Sequence, residues 1–464
     1  MNRGSKVAVR VDPGLSYPQQ HDVESYIDRQ APVYRAVAEV LDDLGLPRLR
    51  GLVEPGDRVL IKPNWVSERH PGGEEFVFGN ITHGAVLAAL ADMAMQHAGP
   101  DGEVIIGEVT TQEANFARMC ELCDTWHVAA LLEERYGQTL EVMDLRSQVA
   151  RVRPDGLVTG LREAPGMADE DYPFGDPTGY CALDLGNSSE HAPRDGLAGL
   201  LRVTDHTFSQ GMKDRQTRET GRHHSPGRHE YLLPLMVLGA DVFINVPKFK
   251  THVKAGVTLA LKNLIGTNAR KALIPHRKAG PTDQGGDEWP DAGQLEGLGA
   301  ALTPELRANL ERVATARDAN WFGNDTLWRT ILDLNKILRY GSPTEGLCAR
   351  PQRKYLAVVD GIEGSDGAGP TNGRRRQDGV LVAGTNPVYV DTVAATIMGF
   401  DWRALPHIAR AYGLDPAVRL VDEGPEAIEV VARPQHLAAW RSLTRQASLG
   451  YAAAPGWITR VELP

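Results

Sequence analysis

Short apolar runs alternate with longer amphipathic stretches along most of this chain. Asp57–Lys62 and Glu103–Glu108 are apolar runs of strand length, and Ile81–His97 between them carries a helical period. Strand–helix–strand is the building unit of a parallel sheet. Asn115–Tyr136, read as one helix, and Leu140–Met143, read as a strand, continue the alternation. The pattern lapses from Ser147 to Gly199, which is rich in Gly, Pro and Asp and reads as an excursion with short strands over one end of the sheet. It resumes with a helix around Leu232–Gly239, a strand at Val242–Val246 and a helix opening at Gly256. The polar stretch His276–Gly297 is a lid candidate. Leu306–Thr315 and Thr326–Leu338 read as helices, Lys354–Asp360 and Gly379–Ala383 as strands. Asn386 and Pro387 supply an N-cap and a first helical residue, and Gly399 a stop.

The expected architecture is therefore α/β: a largely parallel sheet flanked by helices, with long loop insertions. Residues 1–146 form the first part of the core and 147–230 an insertion covering the sheet end. Residues 231–275 are core with a Lys/His motif, 276–345 a lid-like loop and helices, and 346–464 the last part of the core.

In open α/β sheets, ligands bind outside the carboxyl ends of the strands. Four segments place reactive side chains there. The first follows Val242–Val246 and carries Lys248, Lys250, His252 and Lys254 on a loop, then Lys262 in an apolar helix. Lys248 and Lys250 alternate with Phe249, so in an extended segment they face one side and suit a carboxylate or phosphate. His252 is the acid/base candidate, its pKa lowered by the lysines around it. Lys262, ringed by apolar residues, must find a partner or lose its charge: it is expected to pair with Asp360 or Asp391 or to contact ligand as a catalytic residue.

The second segment is Lys62-Pro63-Asn64, with Glu108 in the matching position on another strand, as a base, a cation ligand or an ion-pair partner of Lys62. Asn64 is placed to bind substrate oxygens. The third is Asp360–Pro370, DGIEGSDGAGP, in which Gly367 and Gly369 expose N–H groups to an anion, and Asp360 and Glu363 stand as divalent-cation ligands. It matches neither a Walker A loop nor the dinucleotide fingerprint. The fourth is GRHHSPGRHEY at Gly221–Tyr231, preceded by Asp205 and His206. Its His223, His224, His229 and Glu230 are metal-ligand types in a spacing that fits no established motif, beside Arg222 and Arg228.

Three stretches carry a resemblance. DVFINVPKFKTHVKAGVTLALK at Asp241–Lys262, followed by Asn263 and Gly266, resembles the signature of the family called domain of unknown function 362. Asp360–Pro370 with LVAGTNPVYVDTVAATIMGF at Leu381–Phe400 agrees with it, as do VLIKPNW at Val59–Trp65 and IIGEV at Ile105–Val109. The resemblance implies binding roles for the lysine segment, Asn263 included. Many members of that family carry a cysteine-rich iron–sulfur module, and no such module is visible in these residues. The ten residues from His252 to Lys262 are also similar to a histidine–lysine separation in the catalytic domain of nickel-dependent lactate racemase, which implies shared architecture more than a shared cofactor.

Composition narrows the field. Hydrophobic residues at 42% and charged residues at 24% are ordinary for a globular protein. A formal net charge of −10 argues against a general nucleic-acid or anionic-membrane binder. No apolar run approaches the roughly 20 residues that span a bilayer, and the amino terminus shows no secretory h-region. The expected location is cytoplasmic, the expected partner a small anionic metabolite, and a homo-oligomer is compatible with this composition. Of four cysteines, Cys120 and Cys123 form a C-x-x-C pair within the helix expected at Asn115–Tyr136. A buried structural pair is the plainer reading; a metal or redox pair is the sharper one. The expected function is acid/base chemistry (isomerase, lyase or group transfer) on a small hydroxylated anion, with a divalent metal as one option and the cofactor unknown. The rivals are a redox protein and a non-catalytic metabolite-binding protein.

Overall fold

The computed structural model describes residues 3–167, 172–203, 207–288 and 318–464. Ten of its strands define the frame: β1 (Lys6–Val11), β2 (Arg58–Lys62), β3 (Glu103–Glu108), β4 (Leu140–Asp144), β5 (Val242–Asn245), β6 (Lys248–His252), β7 (Lys354–Ala368), β8 (Asn372–Arg376), β9 (Val380–Gly384) and β10 (Glu429–Arg433). The main path runs β10-β1-β9-β7-β5-β2-β3-β4, with β6 and β8 added along the second half of β7. From β7 to β4 every pairing is parallel, while β9 runs antiparallel to both β1 and β7. The sheet is thus mixed and mostly parallel.

Both faces of the sheet are covered, which is why its strands read as continuous apolar runs rather than as alternations. Ile61, Ile106, Ile244 and Val358 join one cluster with the helices α1 (Pro32–Asp43), α2 (Gly84–Ala98), α3 (Phe116–Leu122) and α4 (Thr125–Tyr136). On the other face lie a one-turn helix α5 (Leu259–Asn263), α6 (Leu327–Tyr340) and α7 (Pro387–Met398). Asn386 caps α7 through its side-chain oxygen, Pro387 opens it, and Gly399 closes it in the left-handed region. Each of these residues serves as its chemistry suggests.

Several expectations need correction. Asn115–Tyr136 is two helices, split where Cys123 caps α3 and Asp124 turns left-handed. Leu232–Gly239 is the end of a strand, Arg228–Pro234, and a single turn, Leu235–Leu238. Gly256 opens no helix: Gly256–Val257 pairs back onto β6, and α5 begins only at Leu259, whose φ is 51°. Lys248–His252 is a buried strand rather than a loop, because β7, remote in sequence, supplies its backbone partners. The glycine-rich stretch at Asp360–Pro370 is likewise mostly strand. The expected helix Leu306–Thr315, the later part of the expected lid, Asp205 and His206 lie outside the described residues. Among the described residues, no helix is long and apolar enough to cross a membrane.

Candidate functional site

The carboxyl ends of β2, β3 and β4 and the segment from α5 to His276 surround a cavity of about 350 Å³. Lys62, Asn64, Glu108, His252, Lys262 and Asn263 all line it. Chain elements nearly 200 residues apart are joined there by side chains. Lys62 Nζ lies 2.7 Å from one Glu108 oxygen and 3.0 Å from the other. The Glu108 carboxylate also accepts the backbone N–H of Trp65 and of Val109. Asn263 receives Asn64 Nδ2 at 2.6 Å and donates to Asn245 and to the Pro63 carbonyl. This asparagine relay uses every polar atom except Asn64 Oδ1, which is buried without a donor and belongs to a cavity-lining residue. An unmet acceptor in such a place costs free energy unless a ligand or water supplies the proton.

Burial pushes the Lys62 ammonium down and the Glu108 carboxyl up, each opposed by its partner's charge. Gly266 lets the pair form, because a β-carbon there would collide with both Glu108 and Lys62 Nζ. Lys262 is different. It is half-buried and has no hydrogen-bond or ion-pair partner among the described residues. The carboxylates expected to pair with it are engaged elsewhere. Asp391 accepts the N–H groups of Ala260 and Leu261, fixing the start of α5. Asp360 pairs with Lys248 at 2.9 Å and accepts from Tyr17 at 2.5 Å. Burial first, then the charge of Lys62, lowers the Lys262 pKa to about 7.

His252 is held below its ordinary value by burial and then by Lys262, Lys250 and Lys254. Its Nδ1 accepts the backbone N–H of Lys254 at 3.0 Å and of Ala255 at 3.3 Å. Two N–H donors on Nδ1 fix the neutral tautomer, so Nε2 carries the proton and the ring offers a donor. The role of base is therefore closed to it in this geometry. His276, in the expected lid, has the opposite tautomer: Nδ1 donates to the Ile274 carbonyl, leaving Nε2 as an acceptor. Burial and Lys254 hold its pKa at about 3, too low for an effective base near neutrality.

The remaining expected site residues fall outside the cavity. Lys248 and Asp360 form a closed ion pair with Tyr17, which stacks on His83. Lys250 donates to the Asn80 and Pro370 carbonyls, and burial pushes its ammonium well down. The N–H groups of Gly367 and Gly369 bond Ala452 and Gly367 carbonyls, so neither awaits an anion. Gly369 is required instead by packing, since a β-carbon would strike the Thr251 carbonyl. Glu363 is taken by Arg375 and, like Asp360 and Glu108, has ammonium, guanidinium or N–H donors where a cation would need its oxygens.

His224 and His229 face each other at 3.4 Å, and their outer nitrogens contact the Leu273 carbonyl and Asp195. His223 and Arg228 both hold Glu230. No group of three or more metal-ligating side chains occurs among the described residues. Cys120 and Cys123 are fully buried, and burial raises both thiols, which keeps them protonated and unreactive.

Arg146, Lys271 and Asn320 also line the cavity and were not singled out from sequence. Arg146 follows β4 just as Lys62 ends β2, so the strand-end rule would have found it. Its guanidinium is spent on Asp144 and on carbonyls of the Thr111–Ala114 turn. Lys271 pairs with Glu113 at 3.1 Å. Asn320 and Gln112 each bring a further buried side-chain oxygen with no donor.

Residues 194–396 match the family model described as domain of unknown function (DUF362), a span that holds the lysine strand, α5 and β7. Over this stretch the chain is similar to the DUF362 family. The chain is also similar to a thylakoid-associated protein of Synechocystis sp., sll1697. The two are 22% identical over 385 residues, 82% of this chain and 74% of the relative. No solved structure matches.

Proposed function

We propose that the protein is an enzyme that binds a small anionic, hydroxylated metabolite in the cavity and moves a proton on it. Hydroxy acids, sugar acids and natural-product intermediates of that chemistry fit a volume of about 350 Å³, near the lower end for small-molecule sites. The observation that carries this reading is Lys262, an amine in the cavity with no partner among the described residues and a pKa of about 7. An acid/base group works best when its pKa lies near the working pH. Lys262 takes the proton, and the Nε2–H of His252 hydrogen-bonds the oxygen on which negative charge develops, as a neutral imidazole can.

Lys62 supplies positive charge, and Asn64 Oδ1 accepts from a ligand hydroxyl. The ten-residue separation of His252 and Lys262, similar to nickel-dependent lactate racemase, enters only as a shared placement of imidazole and amine. No cofactor is inferred from it. A cytoplasmic location and a small-molecule partner belong to the same proposal. The relative's printed name associates that protein, rather than this one, with thylakoids.

Incubation with a panel of 2-hydroxy acids and sugar acids in D₂O tests it. Proton NMR should show deuterium entering the C–H beside the carboxylate of at least one ligand, with the exchange lost in Lys262→Met. Ligand-induced thermal stabilisation without exchange would make this a binding protein, and neither effect with any panel member would remove the reading.

A further inference from the structure

We propose that Lys262 is an amine nucleophile and that the cavity accepts an oxo acid, a carbonyl beside a carboxylate, which it holds as an iminium. This rests on the anion-binding reading above and deepens it by naming the reacting functional group.

The cavity's other ammonium groups are each held by an oxygen. Lys62 is bound to Glu108, Lys271 to Glu113, and Lys254 donates to the Asp318 carbonyl. Each of these contacts stabilises a cation and occupies the nitrogen lone pair with a proton. Lys262 has no such contact among the described residues, although two buried carboxylates lie in the elements around it. Asp391 is turned away to the N–H groups of α5, and Asp360 to Lys248. Among the described residues, the geometry therefore gives this one lysine no counter-charge, while another cation, Lys62, is near enough to disfavour its protonation. Desolvation together with a neighbouring cation is the arrangement that frees a lysine lone pair for attack on carbonyl carbon.

The rest of the cavity suits the intermediate. Attack by neutral Nζ forms the C–N bond as the carbonyl π pair moves to oxygen. One nitrogen proton passes to that oxygen, giving a carbinolamine. The oxygen then leaves as water after taking a proton from solvent, and the nitrogen lone pair closes the protonated C=N bond. One amine, one carbonyl and one proton thus give one iminium and one water, with no oxidant or reductant. The His252 Nε2–H is the donor available to the developing alkoxide, and the unmet Asn64 oxygen is an acceptor for the carbinolamine hydroxyl. The iminium makes an adjacent C–H acidic; with the Lys262 lone pair held in the C=N bond, that proton passes to solvent in the cavity, and Lys262 acts as the base itself only on ligands that form no iminium.

Reductive trapping tests the proposal. The full chain is incubated with pyruvate or glyoxylate and sodium borohydride at pH 7.5, then digested and mapped by mass spectrometry. Lys262 should carry the secondary-amine adduct at least about tenfold above any other lysine, since an ordinary lysine is almost wholly protonated at that pH. Acetone, which lacks the carboxylate, should label it less. Lys262→Arg, which keeps the charge, should show only the background labelling of surface lysines. Mapping on the wild-type protein identifies the residue even if a variant folds poorly. Labelling spread evenly over lysines, or no adduct on Lys262 with either probe, overturns the proposal. Deuterium exchange that persists without any adduct overturns the imine alone and leaves the proton-transfer reading standing.

Discussion

Replacing Lys262 by methionine should stabilise the protein, and by an amount that depends on pH. Methionine matches the stem of lysine and brings no charge. The native amine titrates near 7, whereas an unfolded chain holds its lysine proton up to about 10.4. Between those two values the unfolded chain binds a proton that the native state lacks, so wild-type stability climbs with pH across that window. Below about pH 7 the native lysine is protonated against its burial, and the full penalty is present. A separation of about three pKa units corresponds to about 4 kcal/mol. Solvent entering the cavity screens part of this, leaving about 2–4 kcal/mol. The Met variant carries no such penalty. Its advantage should be greatest at pH 6 and should shrink by about 1–2.5 kcal/mol by pH 9. Urea unfolding followed by fluorescence and circular dichroism at pH 6, 7.5 and 9 measures the gap. Titrations common to both proteins cancel. A gap that stays constant from pH 6 to 9 would mean that Lys262 keeps an ordinary lysine pKa, and the acid/base role would fall with it.

Two further outcomes follow from the same geometry. Lys248→Met leaves Asp360 buried without its counter-charge and should cost about 3–5 kcal/mol in urea unfolding, while Lys248→Met with Asp360→Leu should cost less than Lys248→Met by itself; loss of ligand binding at unchanged stability would return this pair to the site. His252→Gln keeps a donor and an acceptor and should slow turnover by no more than about tenfold, whereas His252→Phe removes the donor and should cost about 10²–10³-fold. Equal, large losses in both variants would show that His252 carries a proton after all.

Much of this molecule was legible in its sequence. Apolar runs of four to six residues after Gly and Asp marked β2, β3 and β5 nearly to the residue, because burial on both faces leaves no polar position within them. The cap at Asn386 and the stop at Gly399 were readable because they depend only on local backbone geometry. Lys62, Glu108, His252 and Lys262 were reachable by the strand-end rule, which needs no tertiary information beyond the sheet's direction.

Other features depended on partners far along the chain. Lys248 and Lys250 carry the same charge and sit two residues apart, yet β7 draws one to Asp360 while two backbone carbonyls take the other. The glycines of Asp360–Pro370 looked like an anion cradle; Gly361, Gly364 and Gly369 serve instead the close approach of β6, and Gly367 a positive φ. Sequence alone determined which residue types stand at strand ends and that a lysine sits in an apolar helix. Only the folded chain decided which carboxylate each ammonium meets, because ion pairing depends on distances of a few ångströms between segments remote in sequence. Of the lysines expected to share one anion site, it neutralised some with buried partners and left Lys262 facing the cavity without one among the described residues.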